Sequence, residues 1–596
     1  MRRLLLILAL AAPAAARAQA LLRYSLRVDP ADPTSFHVEM QIPASADTVR
    51  LAMATHDEVD DRFWRNIRDL SAASNGAPVA ITREDSAVWR LAPSAGDVTV
   101  RYRIALPPDT AGAPREAWVP FMTRDGALAG GIDCFLYVVG RTAVPAIVSV
   151  DVPRDWRIAT GLERALLANS YAAPDAAALL DSPFLLGRIR EWKIPGAHVA
   201  YLPAANAAPF DSSKFLGVVQ RIAEQAAAIF NGAVPAKSYT FMFVDGRAGT
   251  LEHLNSLVLG VRSAEIAKDS AAYAAEIAHE YFHTWNLIRL HPAGLRQVRT
   301  GPPPAVAELW WSEGITVFFA DEILLRAGLY PAGDTRATRL AARIGRWLAN
   351  PGLAHVSVER ASLTAALPPG ATGDYRGDYY LGGQMLGDIL ELTLRDSTKG
   401  ARGMDQVMAA LWLRAANGPG YTSADLERVA SDVCGCDLRP FFARWVHNAA
   451  PLDFDAALRG AGWRMDVAWL TAKDSTGRPL PDRRVYVMRG EGAPAGAPMR
   501  LGILQPTGAW AAAGLHSGDE ILSLDGAPVT SPAQFRQMLA ALEVGQHVKV
   551  AYARGGKRAV ADVMMDVYVL PKVTLVDLPA ATPQQLELRR QWLAGH

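Results

Sequence analysis

The chain reads His-Glu-Tyr-Phe-His-Thr-Trp-Asn at residues 279–286, inside a segment with a helical period from residue 270 to 287. In a helix of 3.6 residues per turn, His279 and His283 share one face, and both imidazoles can bind one metal ion. Glu280 lies one step round the helix, where it can accept a proton from water instead of binding the metal. The alternative is a surface helix that carries two His and a Glu without a metal.

A third ligand is needed, because a catalytic zinc ion takes three protein ligands and leaves one position for water. Residues 308–316 read Glu-Leu-Trp-Trp-Ser-Glu-Gly-Ile-Thr and open a second predicted helix. An acid among bulky apolar side chains is costly to bury unless it is paired or binds a metal, so we expect Glu313 to be this ligand. Glu308 is the competitor, although an acid at a helix N-terminus also complements the helix dipole.

Helical periods dominate the middle of the chain. Asp211 or Ser212 can cap a first helix that ends at Asn231, and a strand over residues 239–244 follows it. Further helices are predicted over residues 270–288, 305–327, 333–349, 378–395, 403–416, 423–433 and 438–447. This block ends near Pro451.

Short strands are predicted for the part of the chain that precedes this block. Between residues 21 and 203, apolar residues alternate with polar ones, for example at Tyr24, Leu26 and Val28. Pro, Asp, Gly and Asn separate these runs, and the segment has no long amphipathic pattern. The pattern predicts an all-β, sandwich-like domain.

The first twenty residues have the pattern of a secretory signal peptide. Arg2 and Arg3 precede the apolar run 4–12, and small residues lead to an Ala-x-Ala cleavage site after Ala18 or Ala20. A membrane anchor is the alternative, but this run is short when about 20 residues are needed to span a bilayer. No later apolar run reaches that length, so we expect a protein that is exported to the periplasm and has no transmembrane span after cleavage.

Composition excludes several classes of protein. At about 150 residues per domain, a chain of 596 residues predicts roughly three to five domains. Half of the residues are apolar and a fifth are charged, which excludes a mainly disordered or fibrous protein. The formal net charge is +1, and the first twenty residues hold three Arg and no acid, so the charge of the remainder is three lower, at −2. A charge so close to neutral argues against nucleic-acid binding.

The chain contains only three Cys, so a disulfide framework does not hold this fold together. Cys434 and Cys436 could close a small ring in an oxidising compartment, but their short separation favours thiols. A zinc knuckle would need a second pair of Cys to complete it, and Cys134 is remote in sequence.

The C-terminal part carries the pattern of a small α/β domain from about residue 486 to 568. Residues 511–526 read Ala-Ala-Ala-Gly-Leu-His-Ser-Gly-Asp-Glu-Ile-Leu-Ser-Leu-Asp-Gly. A helix is predicted over residues 532–542 and a strand over residues 547–554. The run 511–526 resembles the signature of a bacterial PDZ domain.

The expected ligand of such a domain is the C-terminus of a peptide. We expect Leu501, Gly502 and Ile503 to form the carboxylate-binding loop, with Arg500 where the usual motif begins with Gly. A loop of this kind offers backbone N–H groups to the peptide carboxylate while the peptide adds to the sheet as a strand.

The two central motifs together resemble those of the gluzincin metallopeptidases, which carry HExxH followed by Trp-x-x-Glu-Gly. The longer match at residues 279–286, HExxHxWN, resembles the PDZ-bearing glycyl aminopeptidase family. The resemblance implies a multidomain α+β protein with an N-terminal β-sandwich-like domain, a thermolysin-like and mostly helical catalytic domain, and a C-terminal PDZ domain. The expected boundaries are 1–20 for the signal peptide, 21–203 for the β domain, 204–455 for the peptidase domain, 456–485 for a connector, 486–568 for the PDZ domain and 569–596 for a C-terminal tail.

The resemblance also directs attention to a short motif before the HExxH. Residues 249–253 read Gly-Thr-Leu-Glu-His and resemble the Gly-x-x-Glu segment on the edge strand of the gluzincin aminopeptidase cleft. Gly249 and Glu252 match that motif, in which the Glu binds the free α-ammonium group of the substrate. A carboxylate at the closed end of a cleft can do this through charge-assisted hydrogen bonds, which would favour exopeptidase activity. The alternative for Glu252 is a solvated loop residue.

A Tyr that stabilises the oxyanion is implied by a further match. Residues 379–383 read Tyr-Tyr-Leu-Gly-Gly, where related enzymes carry Tyr-x-Lys-Gly, so Gly382 stands where relatives often have Lys. Tyr380 aligns with the Tyr whose hydroxyl stabilises the tetrahedral intermediate, and Tyr379 is the alternative. A packed aromatic side chain without a catalytic role is also consistent with this run.

The function that the resemblance implies is a zinc aminopeptidase that removes small N-terminal residues such as Gly or Ala from peptides. One zinc ion on His279, His283 and Glu313 would activate water, and Glu280 would move its proton. The expected partners are peptides with a free N-terminus, and a peptide C-terminus at the PDZ domain. Two alternatives remain open: a zinc endopeptidase, and an exported PDZ scaffold with a relict, non-catalytic peptidase domain.

Overall fold

Alternating apolar residues form strands in the first part of the chain. The computed structural model describes residues 21–45, 47–56, 62–106, 116–490 and 496–595, so the predicted signal peptide lies outside the described residues. The strands of this part are β1 Leu22–Arg27, β2 Ser35–Ile42, β3 Arg50–Ala52, β4 Ile67–Ser74, β5 Ala77–Pro78, β6 Ile81–Arg83, β7 Val88–Leu91, β8 Val98–Ala105, β9 Phe121–Met122, β10 Gly126–Ala129, β11 Tyr137–Val138, β12 Ala146–Asp151, β13 Arg157–Thr160, β14 Glu163–Arg164, β15 Ser170–Ala173 and β16 Phe184–Gly187.

These strands form three sheets around one apolar core. The largest has eight strands in the order β14-β15-β12-β1-β2-β8-β4-β5, and two four-stranded sheets have the orders β13-β16-β10-β9 and β11-β3-β7-β6. Only short helices interrupt them: α1 Gly131–Cys134, α2 Ala176–Leu180 and a 3₁₀ turn at Phe63–Asn66. The predicted β-rich N-terminal domain is therefore confirmed.

A five-stranded sheet begins the predicted catalytic region and carries part of the candidate site. Its strands are β17 Arg190–Ile194, β18 Ala197–Leu202, β19 Tyr239–Asp245, β20 Thr250–His253 and β21 Ser256–Val261. Their order is β17-β18-β19-β21-β20, so β20 is an edge strand, paired antiparallel to β21. Because β17 and β18 precede residue 203 and β18 pairs with β19, the sheet crosses the predicted domain boundary.

Helices make up most of the chain that follows, as predicted. They are α3 Ser212–Ile229, α4 Ser263–Lys268, α5 Ala274–Phe282, α6 Thr316–Arg326, α7 Arg336–Leu348, α8 Val358–Leu363, α9 Tyr379–Ser397, α10 Met404–Ala415, α11 Ser423–Cys434, α12 Arg439–Phe442 and α13 Phe454–Gly460. Two π-helical turns, Trp310–Ile315 and Ala443–His447, a 3₁₀ turn at Pro351–Ala354 and the short strand β22 Ala371–Asp374 complete this region.

The two helices that carry the metal-binding motifs are shorter than predicted. α5 ends at Phe282, and its C-cap His283 is followed by turns, in which Leu287 has a φ of +120°. The second helix begins near residue 309 and not at 305. The run of three Pro at 302–304 lies outside this helix, and residues 305–308 lead into it without helical structure.

The PDZ domain is a separate small core of strands and two helices. Strand β23 Trp463–Thr471 precedes this domain. The helices of the domain are α14 Ala509–Ala512 and α15 Pro532–Ala540. Its strands are β24 Val485–Met488, β25 Met499–Ile503, β26 Glu520–Leu524, β27 Ala527–Pro528, β28 His547–Arg554 and β29 Lys557–Met564. The sheet order is β24-β25-β26-β28-β29, with β27 paired to β26.

The residues on either side of the PDZ domain return to the catalytic region. β23 pairs antiparallel with the last strand, β30 Val569–Asp577, over nine residue pairs. The last helix, α16 Pro583–Ala594, buries Trp592 completely in the core of the helical region. The guanidinium carbon of Arg336 lies 4.1 Å from the centre of the Trp592 ring. The predicted connector and C-terminal tail therefore form a two-stranded strap and a docked helix.

Replacing Trp592 with Ala is expected to destabilise this arrangement strongly. Removal of a fully buried Trp side chain typically costs about 3–5 kcal/mol, through lost burial and the cavity left behind. A fall of several degrees in the thermal midpoint, measured by scanning calorimetry, would show this effect. Leu586→Ala on the exposed face of the same helix is the control and should leave the midpoint nearly unchanged. Equal midpoints for the two variants would contradict the docking of α16.

The structure corrects the prediction of thiols at Cys434 and Cys436, which form a disulfide. Gly435 takes a left-handed φ of +66° at the end of α11, so the chain turns back and the two Cα atoms lie 5.0 Å apart. That separation is within the range that a disulfide spans. Cys134 is buried and free.

Within the described ranges, none of the helices has the length and apolar character that a membrane crossing requires.

Candidate active site

The side chains of His279, His283 and Glu313 meet in one place. The two His Nε2 atoms are 3.0 Å apart, and each lies 3.4 Å from the same carboxylate oxygen of Glu313. Zinc bonds of about 2.0–2.2 Å in tetrahedral geometry place ligand atoms about 3.4 Å apart, so these three atoms fit three corners of such a site. Among the described residues, this is the one group of His, Cys, Asp and Glu side chains with metal-binding geometry.

Asn286 orients His283 and connects the two metal-binding segments. The Nδ1–H of His283 donates to the backbone carbonyl of Asn286 at 2.8 Å, which leaves Nε2 as the ligand atom. The Asn286 side-chain amide donates to the carbonyl of Trp311 at 2.9 Å and to the hydroxyl of Thr316 at 3.0 Å. Partners of this kind fix the tautomer and the direction of a metal-binding His. Sequence reasoning assigned Asn286 no role, although it closes the HExxHxWN motif.

Glu313 lies in the π-helical turn Trp310–Ile315, and two glycines bring that turn against α9. A Cβ atom on Gly314 would lie 2.6 Å from the Cα atom of Gly383, and one on Gly383 would lie 2.0 Å from the carbonyl oxygen of Trp310. Only Gly at both positions permits this backbone contact. The Glu-Gly pair therefore places a ligand and also positions the N-terminus of α9 beside it, which sequence analysis did not identify.

Tyr380 lies at that N-terminus and faces the metal-binding residues. Asp378 caps α9 by accepting a hydrogen bond from the backbone N–H of Leu381 at 3.0 Å. The Tyr380 ring centre is 6.3 Å from that of His279, and its side chain is 41% exposed. Tyr379 is half-buried and packs against the helical core. Tyr380 is thus the more exposed of the two, and the Tyr379 ring centre lies 4.7 Å from its own.

The departure from the family pattern at Gly382 has a local cause. A Cβ atom at this position would lie 2.7 Å from a methyl group of Val358. Any larger residue would require the Val358 side chain to shift. The glycine is therefore a packing adaptation on the side of α9 that contacts α8.

Glu280 is buried beside the three metal-binding residues. Burial raises its pKa well above the usual value, the nearby carboxylates of Glu252 and Glu313 raise it further, and the charge of His283 opposes them. Glu280 therefore lies close enough to His283, Glu252 and Glu313 for their charges to act on it. A carboxylate at this position can accept and return a proton, which general acid–base chemistry requires.

Glu252 is buried on the edge strand β20. Its Oε1 atom has no hydrogen-bond partner among the described residues. Burial raises its pKa, the charge of His283 lowers it, and the charge of Glu313 raises it again. A buried carboxylate oxygen without a partner is costly, so this site favours a cation or a hydrogen-bond donor.

Gly249 precedes β20 at the contact with the N-terminal domain. It has a left-handed φ of +73°, and a Cβ atom there would lie 1.8 Å from a carboxylate oxygen of Glu116. The backbone N–H of Ala117 donates to the carbonyl of Ala248 at 2.7 Å and ties the domains together. Glu116 therefore lies close to the Gly-x-x-Glu segment, and no sequence signal pointed to it.

The structure contradicts the predicted carboxylate-binding loop at Leu501, Gly502 and Ile503. These residues form the inner strand β25, which pairs with β24 on one side. The N–H of Leu501 donates to the carbonyl of Asp519, and its carbonyl accepts from the N–H of Gly518. With both backbone groups already bonded, the strand cannot bind a peptide by strand addition. The edge strand beside α15 is β24 instead.

Models of protein families match three parts of the chain: the N-terminal domain, the segment with the metal-binding motifs and the C-terminal domain. The peptidase M61 N-terminal domain matches residues 23–188, the M61 glycyl aminopeptidase matches residues 273–386, and a PDZ domain matches residues 483–565. A comparison with curated proteins found no match. The middle match contains the three candidate metal ligands.

Two solved structures resemble the chain to different degrees. An aminopeptidase N family protein from Idiomarina loihiensis is 21% identical, with 96% of this chain and 100% of that chain covered and a TM-score of 0.73. An M1 zinc metallopeptidase from Deinococcus radiodurans is 15% identical, with 70% and 90% covered and a TM-score of 0.44. The likeness to the Idiomarina protein concerns the fold alone. The family matches, in the order found along the chain, identify it as a PDZ-bearing peptidase of the M61 glycyl aminopeptidase family.

Proposed function

We propose that the chain is a zinc-dependent aminopeptidase that removes small N-terminal residues, such as Gly or Ala, from peptides. The observation that carries this proposal is the position of Glu252, a buried carboxylate with an unpartnered oxygen in the same electrostatic environment as His283 and Glu313. A cleft that ends in such a carboxylate suits the charged N-terminus of a peptide. The description of the matched family as glycyl aminopeptidase supports the preference for small residues.

In this proposal His279, His283 and Glu313 hold one zinc ion through two Nε2 atoms and one carboxylate oxygen. Their spacing and donor types, two imidazoles and a carboxylate with an open position, suit zinc. When bound, zinc polarises the scissile carbonyl and lowers the pKa of water. It would also supply positive charge to a site that holds three buried carboxylates, Glu252, Glu280 and Glu313.

Glu280 and Tyr380 perform the chemistry in this proposal. Glu280 takes a proton from the attacking water and later delivers it to the leaving amine. The hydroxyl of Tyr380 donates a hydrogen bond to the oxygen that becomes negatively charged in the tetrahedral intermediate. Its place at the exposed start of α9 lets it approach a bound substrate without disturbing the core.

Glu252 fixes the register of the substrate. Its carboxylate accepts hydrogen bonds from the α-ammonium group, and Gly249 allows the strand to approach the N-terminal domain closely at this point. Because the ammonium group is held at the end of the cleft, the first peptide bond lies next to the metal-binding residues. The enzyme would then remove one residue at a time.

We also propose that the protein is exported to the periplasm after removal of residues 1–20. The disulfide between Cys434 and Cys436 supports an oxidising compartment. Periplasmic peptides with a free N-terminus would then be the substrates.

A comparison of free and N-acetylated peptides tests the proposed function. The free tripeptide should be hydrolysed at least about a hundredfold faster, because acetylation removes the charge that Glu252 binds. Glu252→Ala should lower kcat/KM for the free peptide by about ten- to a hundredfold. Glu191→Ala, an exposed acid in the same sheet, is the control. Equal cleavage of both peptides would instead indicate an endopeptidase, and a protein that binds no zinc would indicate a non-catalytic scaffold.

A further inference from the structure

A cavity of about 470 Å³ lies between the catalytic region and the PDZ domain. The segment 364–380 forms one wall, and the PDZ domain forms the other with Tyr486, Met488 and Ser517. Tyr379 and Tyr380 both line this cavity, and the Tyr380 ring centre is 6.3 Å from that of His279. Through Tyr380 the cavity adjoins the candidate metal site, and residues of the PDZ domain line its other wall.

Direct contacts hold this wall in place. The carboxylate of Asp374 accepts a hydrogen bond from the backbone N–H of Ser517 at 3.0 Å and lies 2.9 Å from Nδ1 of His516. Gly370, with a φ of +93°, packs so closely that a Cβ atom would lie 2.9 Å from the Ser517 carbonyl oxygen. Since the β23–β30 strap also ties both ends of the PDZ domain to the catalytic region, the domain forms a fixed wall.

Arg376 is a cation in the wall of this cavity that could bind a substrate group. Its guanidinium carbon lies 4.5 Å from the centre of the Tyr486 ring, so the PDZ domain orients it. Among the described residues, no carboxylate forms an ion pair with Arg376, whereas Asp374 is already bonded to His516 and Ser517. A planar guanidinium presented in this way is suited to binding a carboxylate through two parallel hydrogen bonds.

The length of the segment limits which peptides can reach Arg376. It lies four residues before Tyr380, so the two Cα atoms are at most about 14 Å apart. An extended peptide covers about 3.3–3.6 Å per residue. A carboxylate at Arg376 therefore belongs to a peptide with one to about four residues beyond the scissile bond.

We propose that this cavity receives the part of the substrate that follows the scissile bond, and that Arg376 pairs with the C-terminal carboxylate of short, unblocked peptides. The proposal rests on the proposed aminopeptidase function. Tyr486 of the PDZ domain acts as a positioning residue for Arg376. The preferred substrates are then peptides of two to about five residues, selected at both ends, by Glu252 and by Arg376.

The test compares a trialanine peptide with its C-terminal amide, which lacks the negative charge. For the unaltered enzyme, kcat/KM should be about tenfold higher for the free acid, the scale of a hydrogen bond to a charged group. Arg376→Gln should bring this ratio close to one, and Arg376→Lys should restore part of it. Arg444→Gln is a matched control, because Arg444 is an exposed Arg 5.3 Å from the Trp445 ring centre, and it should keep the original ratio.

The proposal would be overturned if the unaltered enzyme hydrolysed the acid and the amide with nearly equal kcat/KM. It would also be overturned if Arg376→Gln kept the ratio of the unaltered enzyme. In both cases hydrolysis of the peptides would still support the aminopeptidase function. Calorimetric titration of the same two peptides into the Glu280→Gln variant provides a second readout. Tighter binding of the acid, lost in the double variant with Arg376→Gln, would support the cavity even if neither peptide were hydrolysed. Failure of both peptides to bind would overturn the cavity proposal and the proposed function together.

Discussion

Replacement of Glu280 by Gln should lower kcat by about a thousandfold and leave the zinc content unchanged. Gln has the same shape but cannot accept and return a proton, so the water and the leaving amine lose their acid–base partner. Glu280 is buried next to His279, and its charge environment includes His283, Glu252 and Glu313. The measurement is kcat for a free tripeptide, combined with metal analysis of the same sample.

Glu276→Gln is the matched control for this variant. Glu276 lies on the same helix, α5, but is exposed to solvent. It should retain nearly full activity and the same zinc content. Turnover of Glu280→Gln within a few-fold of the unaltered enzyme would refute the assigned proton transfer, whereas loss of zinc would show that Glu280 holds the metal site together.

The second large effect is expected for Tyr380→Phe, with kcat lowered by about a hundred- to a thousandfold. Removal of one donor to the oxyanion acts on the transition state, so KM should change little. The Tyr380 ring lies at the open side of the site, 6.3 Å from His279, and its side chain is the more exposed of the two neighbouring Tyr residues. Steady-state kinetics with a free tripeptide separate kcat from KM.

Tyr379→Phe distinguishes the two neighbouring phenols. Its ring packs against the helical core, so this variant should keep kcat within a few-fold. The opposite pattern, with Tyr379→Phe impaired and Tyr380→Phe active, would move the oxyanion role to Tyr379. Activity of both single variants would show that neither hydroxyl stabilises the oxyanion.

The metal-binding residues could be predicted from sequence because their geometry depends on local spacing. Two His four residues apart share a helix face whatever surrounds them. Glu313 could be predicted as a ligand because burying a carboxylate among Trp residues is costly unless it is paired or binds a metal. The length of the helix carrying His283 could not be predicted, since the turn after it depends on hydrogen bonds from Asn286 to a distant segment.

Features that depend on packing between distant segments could not be predicted from the sequence. The contact between Gly314 and Gly383 joins segments about seventy residues apart, and neither glycine lies in a turn that would reveal it. The sheet that crosses residue 203 is held by pairing of β18 with β19, across the helix α3. The strap around the PDZ domain likewise pairs strands about a hundred residues apart.

The predictions of a carboxylate-binding loop at residues 501–503 and of free thiols at Cys434 and Cys436 were wrong. Both errors have local causes that the sequence pattern does not show. Leu501 to Ile503 match a loop by composition, but apolar residues of this kind also suit a buried inner strand, which they form. Cys434 and Cys436 are joined because Gly435 adopts a left-handed backbone conformation. A glycine between two Cys permits that turn without requiring it.

Removal of the metal tests whether a zinc ion on His279, His283 and Glu313 drives hydrolysis. Metal analysis and hydrolysis of a free tripeptide should be measured on one sample before chelation, after chelation and after addition of zinc. We expect one zinc ion per chain, a loss of at least about a hundredfold in rate on chelation, and recovery with one equivalent of zinc. Undiminished hydrolysis by the metal-free protein would contradict this expectation.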